Sequence, residues 1–204
     1  MKHRWIAVIA ASALLAAAGH SVRAEDAKKG NEFANKLYAA DVTKQKKTYA
    51  CFVRQYDSGH LAKHPLQKVT AMKLLVTAEA VPEDENLNHV FRMDVKLRNR
   101  SGNFNSGGGC GHVKVSETPN GKEHLSCSVD CDGGGISMEL TADNKATLIK
   151  LDSIRIYNKN NPEDGGFNLS GGADDRVFRL DRAPLELCKS LVTDREELAE
   201  MRLK

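Results

Sequence analysis

The sequence predicts a mainly β domain, an antiparallel up-and-down barrel or a two-sheet sandwich, finished by a C-terminal helix. Three observations carry this expectation. Short runs with period-two apolar alternation recur from about residue 48 to residue 180. Turn-forming Gly, Asn, Asp and Pro residues separate them, in places such as Asp132–Gly135 and Asp143-Asn144-Lys145. Leu187, Leu191 and Leu198 read as helical after Pro184, which sits where a helix can begin. A sheet with one apolar face must close or fold over to bury it, and the hairpin-by-hairpin order favours the barrel.

The first 24 residues read as an export leader. Lys2, His3 and Arg4 precede an apolar run from Trp5 to about Gly19, and Val22-Arg23-Ala24 offers small residues at a peptidase site. That run is short of the roughly 20 residues a membrane span needs. The leader also carries three of the 30 Lys and Arg residues and no acid. The remainder therefore has 27 basic and 27 acidic side chains and is formally neutral. Neutrality argues against nucleic acid as a partner. The cleavage site has no lipid-attachment cysteine, so no membrane anchor is expected. These features place the chain in the periplasm or outside the cell, as a monomer.

Residues 25–47 form a polar arm with Phe33, Leu37 and Tyr38 at helical spacing, and a single domain is expected over 48–204. Thr48–Tyr56 and Val69–Ala78 are strand-like. Phe91, Met93, Val95 and Leu97 alternate with charged residues and mark the clearest half-buried strand. The Gly-, Ser- and Asn-rich stretch from Arg98 to Gly111 reads as a loop. Around Pro119-Asn120-Gly121 the pattern predicts a three-residue hairpin loop, with Val115 opposite Leu125 and Val113 opposite Cys127. Ile136, Met138 and Leu140 alternate in the next strand. Thr147–Tyr157 follows, its apolar phase slipping at Asp152-Ser153 as a bulge would require. Short strands near Phe167–Leu169 and Val177–Leu180 lead to a helix from about residue 184.

Five cysteines in an exported chain imply two disulfides and one free thiol. The expected register sets Cys110 at the hairpin mouth beside Cys131. The expected bridges are therefore Cys110–Cys131 and Cys51–Cys188, with Cys127 a buried free thiol and Cys110–Cys127 the competing pair.

His60 and His64, four apart in Ser58–Pro65, could share one face of a helical turn and grip zinc or copper, with His112 as a third ligand. Ordinary loop hydrogen bonding is the competing reading. No nucleophile elbow, phosphate-binding loop or zinc-protease pattern occurs, and no catalytic residue is assigned. The expected function is non-catalytic binding of a small ligand or a periplasmic protein. A metal-binding protein and a hydrolase with a noncontiguous site are the alternatives.

Overall fold

The computed structural model describes residues 31–81, 87–118 and 121–202 of the 204. The leader and the Pro119-Asn120 turn lie outside the described residues. The chain forms one antiparallel sheet closed into a ring. Its strands are β1 (Lys47–Gln55), β2 (Val69–Ala80), β3 (Leu87–Leu97), β4 (Arg100–Val113), β5 (His124–Ser128), β6 (Gly134–Leu140), β7 (Ala146–Asn158), β8 (Phe167–Ser170) and β9 (Val177–Ala183). Neighbours follow the order β6-β5-β4-β3-β2-β1-β9-β7-β8, and β7 also pairs with β6 and β4. Closure removes the sheet edges that a sandwich would leave open.

Alternation puts one apolar set inside the ring. Phe52, Met72, Leu74, Phe91, Met93, Leu125, Met138, Ile149, Leu151, Phe178 and Leu180 are each almost wholly buried there. A helix over residues 31–38 (α1) packs Phe33, Ala34, Leu37 and Tyr38 into the same cluster and plugs one mouth. Outside, Tyr49, Cys51 and Leu75 form a second cluster with Cys188, Leu191, Val192 and Met201. β1 is therefore buried on both faces. The C-terminal region that covers it is two pieces rather than one helix, a 3₁₀ segment Leu185–Leu191 and helix α3 (Arg195–Arg202). A further short helix, α2 (Ser58–Lys63), links β1 to β2, its N-terminus capped by Asp57.

Three further sequence expectations are corrected here. The Gly-rich stretch is not a loop. It is the heart of β4, which pairs with β7 at Phe104↔Asn158 and Asn105↔Tyr157 and with β5 from Gly109 onward. The β5–β6 hairpin wedges between β4 and β7 at this fork. A Cβ on Gly108 would stand 2.0 Å from the Ser128 carbonyl oxygen, and one on Gly135 2.0 Å from that of Cys127. Glycine composition here answers close strand approach, not a turn.

The hairpin register is also different. Cys110 faces Cys127 and Val113 faces His124, three residues away from the expected pairing. The connection is longer than a three-residue loop, because β4 stops at Val113 and a 3₁₀ turn, Val115–Glu117, follows. The bulge at Asp152 is present: β6 Gly135 pairs with Ser153 and Ile136 with Leu151, skipping one residue.

The disulfides follow from that register. Cys110 bonds Cys127 directly across the strands, with Cα atoms 4.0 Å apart. Cys51 on β1 bonds Cys188 on the covering segment, 137 residues away. The expectation of Cys110–Cys131 with a buried free Cys127 is thus overturned. Cys131 is the free, exposed thiol. It occupies the first of two left-handed positions, Cys131 and Asp132 (φ 54° and 60°), in a turn closed by Gly133 N–H donating to the Asp130 carbonyl at 3.3 Å.

Candidate functional site

A groove of about 800 Å³ opens where β1 and β9 part. Their pairing ends at Cys51↔Ala183, because Pro184 turns the chain outward into the 3₁₀ segment. The start of β1 then runs on beside the end of α1. Small residues leave the space: Ala39, Ala40, Ala50 and Ala183 all line it. Polar side chains, among them Gln45, Lys46, Thr48, Arg182 and Glu200, share the lining with them.

Thr48 lies on the barrel side of β1, in phase with Ala50 and Phe52, and is 3% exposed. Its Oγ1 is buried with no hydrogen-bond partner, an arrangement that costs about 1–3 kcal/mol. Lys46 stands exposed at the rim, and the Ala80 N–H donated to its carbonyl continues the β1–β2 ladder.

Two further cations line the groove, and both are engaged. Lys47 Nζ is 3.0 Å from Glu197. The Arg182 guanidinium donates to the carbonyls of Leu37 (2.9 Å), Lys36 (3.1 Å) and Asn144 (3.1 Å), clamping the C-terminus of α1 to the barrel. It also lies over the Phe52 ring, and burial lowers its pKa. On the outer wall the Tyr49 hydroxyl donates to Glu200 at 3.3 Å. Burial and the nearby Glu197 and Glu200 carboxylates raise the Tyr49 pKa.

A second polar cluster lies under the plug. The hydroxyl of Tyr38 and Nδ1 of His89 are 2.8 Å apart in a buried contact. Burial, with some help from neighbouring His112, pushes the His89 pKa down to about 4. His112 stacks on Phe33 at 4.6 Å, its Nε2 is buried and unpartnered, and burial again lowers its pKa. Both imidazoles are therefore neutral props for α1 at neutral pH.

The structure brings His60 and His64 together but not with His112. Their rings stack 4.3 Å apart, His60 on α2 and His64 at its C-cap, with Tyr56 stacked 4.6 Å from His60. His60 Nε2 meets Gln67 Oε1 at 3.0 Å, and His64 Nδ1 lies 3.7 Å from Asp174. His112 sits on β4 against α1 instead. No group of three or more His, Cys, Asp or Glu side chains able to hold a metal occurs among the described residues.

Sequence reasoning met Lys46 only as part of a basic cluster with Lys44 and Lys47, a solvated face or an anionic docking patch, and missed Thr48 and Arg182. Of these two, only Thr48 left a trace, as a hydroxyl on an otherwise apolar strand face. No helix among the described residues is long and apolar enough to cross a membrane. Comparison of the chain with family models, curated proteins and solved structures finds no match.

Proposed function

We propose that this chain is an exported, non-catalytic binding domain that takes a small organic ligand in the groove at the β1–β9 seam. The groove carries the reading: its volume of about 800 Å³ falls within the range of about 300–1,000 Å³ typical of small-molecule sites. A lining that mixes alanines with polar and charged side chains suits an amphipathic molecule. The barrel interior does not compete for this role, because it is filled by Phe52, Phe91, Phe178 and their neighbours. Export is supported by the leader read in residues 1–24 and by two disulfides, which persist in oxidising compartments. His60 and His64 are taken up by Gln67, Tyr56 and Asp174, so the metal reading gains no support from their geometry.

The test is a thermal-shift screen of small organic molecules on the oxidised chain from Glu25, run beside Ala40→Leu. Ala40 is only partly buried at the groove wall, where it packs on the edge of the barrel core, and a leucine there occupies the space. Ligands that raise the Tm of the parent and not of Ala40→Leu are expected. Binders that ignore this substitution would place the site elsewhere and refute the proposal.

A further inference from the structure

The chemistry of the groove limits its ligand. Of the three cations that line it, Lys47 is tied to Glu197 and Arg182 to three carbonyls, whereas Lys46 makes no ion pair among the described residues. Lys46, in the bend just before β1, and Thr48, the second residue of β1, are two apart in sequence and both line the groove. The Thr48 hydroxyl is the unpartnered polar group of this wall, and it is buried. A hydroxyl and an ammonium in one groove are donors suited to a single negative charge. A second negative charge would meet Glu200, which also lines the groove. Beyond Thr48 the same face continues to Ala50, and Ala40 and Tyr38 flank it from the α1 side.

Resting on the groove as the ligand site, we propose that it binds an alkyl carboxylate, a monoanion whose head group lies between the Lys46 ammonium and the Thr48 hydroxyl and whose chain lies along Ala50, Ala40 and Tyr38. The carboxylate satisfies the Thr48 hydroxyl that folding leaves unpaired. The alanines accept the chain because no larger side chain fills the space.

Titration calorimetry on the oxidised chain from Glu25, with sodium octanoate, 1-octanol and sodium acetate as probes, tests this. Octanoate is expected to bind, octanol about tenfold more weakly because it lacks the charge-assisted contact, and acetate not measurably. Lys46→Gln should bring octanoate to the level of octanol and leave octanol unchanged. Thr48→Val, which keeps the side-chain shape, should weaken octanoate. Ala40→Leu should abolish binding of both octyl probes.

Equal binding of octanoate and octanol, or indifference of octanoate to Lys46→Gln, would overturn the carboxylate assignment and leave the groove reading standing. Binding of some other small molecule, lost in Ala40→Leu, with no binding of either octyl probe would overturn the ligand class alone. If no binder responds to Ala40→Leu, the groove reading itself fails and this assignment fails with it.

Discussion

The inside of the ring and the outer cover of β1 are two cores of different kinds. The inner one joins residues from every strand and from α1, and it holds without a covalent tie to the helix that plugs it. The outer one is a handful of side chains, among them Tyr49, Leu75, Leu191 and Met201, under a segment with little regular structure. That cover is fastened by the Cys51–Cys188 bridge and by Glu197, which accepts two bonds of 2.9 Å from Arg92 and pairs with Lys47 at 3.0 Å. A large apolar core orders its elements by burial alone, whereas a small one needs staples. The groove lies at the boundary, with one wall from each.

The largest effect should come from the bridge. In the chain-entropy view, closing a 137-residue separation contributes about 5 kcal/mol, against about 3 kcal/mol for the 17-residue separation of Cys110–Cys127. Urea unfolding of Cys51→Ala/Cys188→Ala is expected to show the greater loss of the two double variants. A larger loss for Cys110→Ala/Cys127→Ala would reverse the comparison.

The plugged mouth should respond to acid next. His89 is neutral when folded, its pKa pushed down to about 4, first by burial and then by His112. Unfolded, it takes up a proton near pH 6.5. The unfolded chain thus binds more protons between these values. The stability this neutral histidine confers is complete above pH 6.5 and falls as pH drops towards 4, by about 3 kcal/mol. His89→Gln should flatten that part of the stability profile measured by denaturant unfolding, and an unchanged slope would show that His89 does not govern it.

The extended and buried parts of this fold were legible for a simple reason: period-two patterning records which face a strand buries. β3, with Phe91, Met93 and Val95 inside, and the slipped phase at Asp152 are both visible in the chain. β4 was not, because Gly107–Gly109 carry no side chains to pattern, and Gly108 answers how near the Ser128 carbonyl passes. The misplaced Cys110 pairing follows from the same blindness, since a register set from Val113 and Val115 ignored where β4 really ends. The groove was hidden for another reason. Thr48, Ala40 and Arg182 meet only because the ring closes, and no local spacing encodes closure.

The smallest effect should come from the cover's ion pairs. Burial works against ionisation of Glu197, but hydrogen bonds and charge from Arg92 and Lys47 outweigh it and hold its pKa below the usual glutamate value. Its contribution is present above about pH 4.3, the unfolded value, and fades as pH falls through the lower folded value. Glu197→Gln is expected to cost about 2 kcal/mol and to loosen α3 more than the barrel, as read from protection of Arg195–Arg202 against proteolysis. Equal loosening of the strands would argue that the two cores unfold as one.

Hydrogen exchange with mass spectrometry on the oxidised chain from Glu25 and on Cys51→Ala/Cys188→Ala addresses this division most directly. Rapid exchange should appear across residues 185–202 of the variant while β2, β3 and β7 keep their protection. A uniform rise through all strands, or continued protection of 185–202, would contradict the picture of a self-sufficient barrel wearing a stapled cover.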